Sequence, residues 1–232
     1  MARNRLYLLA AAGAAAIVVV AVIVIVSATG GSSSPTTTTS VVSQAGSRSI
    51  FAGVPQHGDT LGRADAPVTL TVFEDPQCPF CRQWNLDTLP TVVDTYIKTG
   101  RVKIVYRGIE IIGGNSIAGL RAAYAAGVRN KLWNMVEALY ERQGAENSGW
   151  ITLAVIREAA TSVHANAAKL VKDADSKAVT AALNASEAER ASYGINSTPT
   201  FAIQKQLGTL QQLQVTSLEP DGFTASLAAA LQ

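Results

Sequence analysis

The chain is poor in residues that hold metals or cross-link a fold, with two cysteines and two histidines in 232 residues. A structural zinc centre takes four ligands. Here it would need both cysteines plus His57 and His164, which lie far apart and lack a His-x-His spacing. No metal and no cofactor are therefore expected, and His57 reads as a surface or loop residue. Charge is also sparse. The net charge is +2 and no basic stripe runs through the sequence, which argues against a nucleic-acid partner.

What is present is concentrated in one stretch. The only cysteines stand in the order Cys78-Pro79-Phe80-Cys81. Val68 to Phe73 before them is apolar and rich in β-branched residues, and it reads as a strand. The residues after them, with Leu86, Leu89, Val92, Val93 and Tyr96 in periodic positions, read as a helix. Pro79 suits the first helical turn, where a missing N–H costs nothing. Cys78 is then placed at the helix N-terminus, where free N–H groups and the macrodipole favour a thiolate. Cys78 is expected to be exposed and nucleophilic, with Cys81 one turn inward as the resolving thiol. A purely structural disulfide across two residues would close too short a loop to stabilise much.

The N-terminus predicts a membrane segment. Leu6 to Val26 is an uncharged run of 21 residues, enough to cross a hydrocarbon core of about 30 Å. A signal-peptide core is shorter, roughly 7 to 15 residues, so the length favours a retained anchor. Val26-Ser27-Ala28 also resembles a small-residue cleavage site, which keeps a cleaved signal as the alternative. Arg3 and Arg5 put the N-terminus on the cytoplasmic side and the remainder outside. Residues 1–28 are read as cytoplasmic tip and anchor, and 29–49, rich in Gly, Ser and Thr, as a flexible linker. Residues 50–232 form one domain. Outside the membrane the setting is oxidising, and a disulfide-exchanging pair suits it.

Within that domain, Val102 to Tyr106 reads as a second strand, so 68–106 is a βαβ unit with parallel strands and a right-handed crossover. A helical block follows at about 112–190. It starts at Ser116, breaks between Gly127 and Asn130, and resumes through Leu132, Trp133, Val136 and Leu139. Thr152 reads as a helix cap, and one alanine-rich helical stretch spans Ala165 to Ser192. Trp133 and Trp150 are expected in the core or in helix packing rather than in a binding box. Strands return at Thr200 to Ile203 and Leu213 to Val215, and Glu219-Pro220-Asp221 opens a last helix. The expected fold is α/β: a sheet entered by a βαβ unit, closed by ββα, with helices inserted between.

Two stretches together resemble the DsbA-like thiol:disulfide oxidoreductases of the thioredoxin superfamily. They are Ala66 to Leu70 ahead of Asp75-Pro76-Gln77-Cys78-Pro79-Phe80-Cys81, and Gly194 to Phe201 with Thr198-Pro199. The resemblance implies a thioredoxin fold with an inserted helical subdomain and a catalytic pair Cys78 and Cys81. It also implies an active-site environment of Pro79, Phe80, Thr198 and Pro199, with a cis Thr198–Pro199 bond lying against the pair. Substrates would be thiols or disulfides of exported proteins, and for an oxidase the implied recycling partner is a quinone-linked membrane protein. The chain departs from the pattern at two points. Relatives often carry a buried acid six positions before the first cysteine, where this chain has Val72, while Glu74 and Asp75 sit at the turn. Phe80 replaces the histidine of strongly oxidising members, implying a weaker oxidant. The expected function is extracytoplasmic disulfide formation or exchange, with a reductase or isomerase of the same fold as the alternative. A non-catalytic binding module with the cysteines as a staple is the remaining class.

Overall fold

The computed structural model describes residues 49–206 and 208–232. Leu6 to Val26 and most of the linker lie outside them. No helix among the described residues is long and apolar enough to cross a membrane.

The core is one six-stranded sheet. In chain order its strands are β1 (Gln56–His57), β2 (Thr60–Leu61), β3 (Val68–Glu74), β4 (Val102–Gly108), β5 (Thr200–Lys205) and β6 (Gln211–Gln212), arranged β1-β2-β4-β3-β5-β6. β3 and β4 run parallel, with Val68 opposite Val102 and Glu74 opposite Gly108. β5 lies antiparallel to β3, with Phe73 opposite Thr200. The two halves of the expected fold therefore share a sheet although the whole helical insertion separates them. β3, with a partner on each side, reads as a nearly continuous apolar run because both its faces are covered.

Alternation sorts the side chains of this sheet. Val68, Leu70 and Val72 of β3 join Val102, Ile104 and Tyr106 of β4 and Phe201 and Ile203 of β5 in the main core. Phe73 and Ala202 face the other way, into a smaller cluster with Ile109 and Ile195. The active-site helix begins at Pro79–Gln83 and continues to Ile97 through two wider π-type turns, Trp84–Thr88 and Val93–Ile97. These turns bracket Leu89–Val92, which holds Pro90. A proline cannot donate to the regular ladder, and wider turns absorb the break. The C-terminal helix Pro220–Ala230 starts with proline in its first turn and packs beside the active-site helix.

Helices Ser116–Gly127, Leu132–Glu141, Leu153–Ser162, Ala167–Asp173 and Lys177–Ser192 form the insertion. Thr152 caps the third of these by accepting from the Val155 N–H. Trp133 is wholly buried and packs edge-on against Tyr106 of β4. Two local readings change. The alanine-rich stretch is two helices, because Asn166 and Ser176 each accept a backbone N–H as N-caps and so start separate helices. The last strand is Gln211–Gln212 rather than Leu213 to Val215; only the Leu213 N–H still reaches β5, at Phe201. The short piece before Pro67 contributes the β1–β2 hairpin at the sheet edge.

Under the active-site helix, Trp84, Phe201 and Phe223 form a buried aromatic trio with ring centroids 4.3 to 4.8 Å apart. Phe223→Ala should lower unfolding stability by about 3–5 kcal/mol, the usual loss for truncating a wholly buried aromatic. Urea denaturation measures it, and a loss below about 1 kcal/mol would show that the trio is not a packing unit.

Candidate active site

The site is built where β3 ends. Cys78 is the N-cap of the active-site helix, in extended conformation, and Pro79 occupies the first helical position. No side chain caps this helix end. Its unpaired N–H groups are left facing the Cys78 sulfur, the placement that stabilises a thiolate. Cys81 follows one turn on, and both cysteines are free thiols.

Across the sheet, the bond between Thr198 and Pro199 is cis. The Thr198 carbonyl accepts the Cys78 thiol at 3.3 Å. The two stretches that carried the family resemblance, 120 residues apart, thus meet at one sulfur. Cys78 is not exposed as expected: only 3% of its surface is accessible. The loop carrying Thr198 contacts the sulfur and shares in covering it, and the exposed residues are Pro79 and Phe80, the latter with 60% of its surface in solvent. Phe80 is an apolar ring held out beside the nucleophile.

The two thiols are treated in opposite ways. The neighbouring Cys81 thiol, the Thr198 side chain and the backbone N–H groups of Cys81 and Phe80 bring Cys78 down from 9.0 to about 6, against burial that pushes it up. Cys81 is wholly buried and goes the other way. Burial first, then its contact with Cys78 and the nearby Glu74 charge, raise it well above an ordinary thiol.

A buried acid is present close to Val72, at Glu74. It stands two residues after Val72 on the same strand, so both side chains leave the same face. Its carboxylate is wholly buried. Asn85 Nδ2 donates to both carboxylate oxygens at 2.9 Å and to the Cys81 carbonyl at 2.9 Å. The Tyr140 hydroxyl donates to Glu74 Oε2 at 3.0 Å. Burial drives this carboxyl up to about 8, and the Asn85 and Tyr140 donors hold it below what burial alone would impose.

Asp75 points elsewhere and does a different job. Its Oδ1 accepts from the Gln77 N–H and the Ser116 hydroxyl at 2.8 and 2.6 Å, and its Oδ2 from the N–H groups of Ile111 and Ile112 at 2.8 and 2.9 Å. It ties the redox turn to the loop that follows β4. Gln143 Nε2 donates to the carbonyls of Pro76 and Cys78, and the Asn147 N–H to Gln77 Oε1. Asn85, Tyr140, Gln143 and Asn147 carry no sequence signal of their own, since three come from the helical insertion and Asn85 reads only as part of a helix. For Glu74 a signal existed, namely its even spacing from Val72, but it requires β3 to run on to the turn. His57 is exposed on the edge strand and His164 follows helix Leu153–Ser162. Among the described residues no group of metal-ligating side chains forms.

Alkylation of the reduced protein by iodoacetamide should occur at Cys78, with a rate that rises through a midpoint near pH 6. Mass spectrometry identifies the modified thiol. Faster labelling of Cys81, or a midpoint near that of a free cysteine at about 8.5, would overturn the assignment.

The chain is similar to several known proteins. A protein named probable disulfide bond formation protein D from Bacillus cereus is 32% identical over 105 residues, covering 43% of this chain and 49% of that protein. Disulfide bond formation protein D of Bacillus subtilis is 31% identical over 104 residues, covering 44% and 47%. The chain spans about half the length of these two relatives. The crystal structure of oxidised BdbD from Bacillus subtilis superposes with a TM-score of 0.64 at 22% identity, over 77% of this chain and 97% of that one, a likeness of fold. The family model described as thioredoxin matches residues 56–214, which take in both cysteines, the cis-proline loop and the helices between them, and on that match the chain belongs to the thioredoxin family.

Proposed function

We propose that the chain is an extracytoplasmic protein thiol:disulfide oxidoreductase that works through Cys78 and Cys81 on exported proteins. The observation that carries this reading is the opposite treatment of the two thiols. The thiol at the helix terminus is pulled down to about 6 by the N–H groups there, the Cys81 thiol and the Thr198 side chain, while the other is buried beside a carboxyl and pushed up. A two-residue staple needs no such difference. The names of the Bacillus relatives agree with the reading.

In the oxidising direction a substrate thiolate attacks Cys78 Sγ of the Cys78–Cys81 disulfide. The S–S bond breaks, and its electron pair leaves on Cys81, which takes a proton from Glu74. A second substrate thiolate then attacks the substrate sulfur of the mixed disulfide. The substrate disulfide forms, and Cys78 departs as a thiolate. The substrate loses two electrons and the cysteine pair gains them. A low-pKa thiol leaves fast, so the depressed Cys78 favours release of oxidised substrate. The same steps reversed make a reductase, with Glu74 taking the Cys81 proton. Phe80 offers an apolar contact for the substrate chain beside the attacked sulfur, and the loop at Thr198-Pro199 lies against its other side.

In this proposal the chain is held at the cell membrane by a single pass at Leu6 to Val26. Residues 29–49, rich in Gly, Ser and Thr, link that pass to the domain. Re-oxidation of the pair then falls to a quinone-linked membrane partner, an assignment resting on the family resemblance.

Equilibration with glutathione redox buffers should return a reversible two-electron potential for the pair. Cys78→Ser should abolish exchange with a disulfide-bearing peptide. Cys81→Ser should accumulate mixed disulfides through Cys78, because the resolving thiol is gone. A wild-type pair that neither oxidises nor reduces any peptide would leave only the binding-module reading. After carbonate washing the full chain should remain in the membrane fraction; a soluble product starting near Thr29 would mean a cleaved signal.

A further inference from the structure

The end of helix Leu132–Glu141 reaches the redox turn directly. The Tyr140 carbonyl accepts from Arg82 Nε at 3.1 Å, and its hydroxyl donates to Glu74 Oε2 at 3.0 Å with the Asp75 carbonyl at 3.1 Å. The Asp75 carbonyl already receives the Cys78 N–H at 2.9 Å, so it does not depend on Tyr140. Glu74 does. Its other donor, the Asn85 amide, has two N–H bonds to spread over two carboxylate oxygens and the Cys81 carbonyl. The phenol is the donor that is left over for the carboxylate.

We infer that Tyr140 is a positioning residue for the redox pair: its hydroxyl, carried in from the helical insertion, holds the Glu74 carboxylate ready to exchange a proton with Cys81. The inference rests on the oxidoreductase reading above. In the resolving step Cys81 gives its proton to Glu74 and its sulfur bonds to Cys78. The bond between Cys78 and the substrate sulfur breaks, and the substrate leaves as a thiolate. In the opposite direction protonated Glu74 returns the proton. The titratable groups facing Glu74 are Cys78 and Cys81 on the active-site helix, Tyr106 on β4, Tyr140, and the adjoining Asp75. Burial and the Glu74 charge keep the Tyr140 phenol well above its ordinary range, so it stays a neutral donor wherever Glu74 titrates. Loss of that donor leaves burial less opposed, and the carboxyl rises further.

The test uses the full chain and two readouts. The first is the rate of mixed-disulfide resolution against pH, started from Cys78 coupled to glutathione. The second is the Glu74 carboxyl band followed by infrared spectroscopy, which needs no activity and is assigned by its absence in Glu74→Gln. Tyr140→Phe keeps the ring and removes the hydroxyl. It should move both midpoints to higher pH and slow resolution at pH 7 by about three- to tenfold, the order expected for the net loss of one ordinary hydrogen bond. Alkylation of Cys78 should change by less than about twofold, since Tyr140 does not touch that sulfur. In the Glu74→Gln background Tyr140→Phe should have no further effect on the profile. If Tyr140→Phe does not fold, 3,5-difluorotyrosine at position 140 retains both ring and hydroxyl and donates more strongly, so the midpoints should move to lower pH. Unchanged midpoints, or an equal slowing with and without Glu74, overturn the inference. A wild type without any exchange would sink the oxidoreductase reading, while the infrared midpoints would still decide whether Tyr140 acts on Glu74.

Discussion

Two adjacent carboxylates at the end of β3, both shut off from solvent, set the terms for everything around them. Taking an ionised group out of water costs several kcal/mol unless donors replace the lost hydration. Asp75 and Glu74 leave the strand in opposite directions and meet this demand differently. Asp75 draws two N–H groups from the loop after β4, one from Gln77 and a hydroxyl from Ser116. These donors come from segments that must therefore stay where they are, so Asp75 fixes the redox turn relative to the sheet and the first inserted helix. Glu74 is hydrogen-bonded by the Asn85 and Tyr140 side chains, with the Trp84 indole a smaller influence, and burial prevails, raising it to about 8. One carboxylate pins the turn; its neighbour is left able to titrate under the resolving cysteine.

The helical insertion takes its meaning from this. Covering one face of the sheet would require only an apolar surface, which Trp133, Leu132 and Tyr124 supply. Tyr140, Gln143, Asn147 and Ser116 instead spend polar groups on the residues from Glu74 to Arg82. Buried polar contacts of this kind specify one geometry, because each displaced partner leaves an unsatisfied group behind. The cysteine pair is thus held from both sides: by the strand and cis-proline loop of the thioredoxin half, and by residues 140–147 within the insertion.

Much of this was legible before any coordinates. The β-branched run into Cys78 and the periodic run after Cys81 specify a strand handing over to a helix, and Pro79 marks the first turn. The break at Gly127 to Asn130 and the caps at Thr152 and Glu219 to Pro220 were readable as local chemistry. What escaped was mostly tertiary. The Ala165 to Ser192 stretch looks continuous because alanine favours helix throughout, whereas the cap at Ser176 acts only once the chain turns there. The edge strand beyond β5 is two residues long and polar, too little pattern to read. Cys78 was expected at the surface from its helix position alone, but its cover comes from residue 198. Glu74 hid because one more residue of strand decides its face, and Tyr140 because nothing in a helix repeat says which tyrosine meets a carboxylate.

The shifts at the site combine into a statement about redox balance. Cys78 has its acidity increased by the fold, so the stability it contributes is fully present above the ordinary thiol value of 9.0 and is lost as pH falls through about 6. Glu74 has its acidity decreased, so its contribution is present below the ordinary 4.5 and is lost as pH rises through about 8. Oxidation of the pair removes the first contribution and keeps the second. At neutral pH the thiolate therefore stabilises the reduced form over the disulfide, which is the physical basis of an oxidising pair. The resemblance implies a histidine between the cysteines in strongly oxidising members, and here Phe80 stands in its place. Here the stabilisation comes from the Cys81 thiol, the Thr198 side chain and the N–H groups at the helix start. Position 80 is thereby freed of an electrostatic duty and carries an exposed ring instead. The two demands on the site are thus separated: the loop and helix terminus lower the Cys78 thiol, and Phe80 beside it is left as an exposed apolar ring.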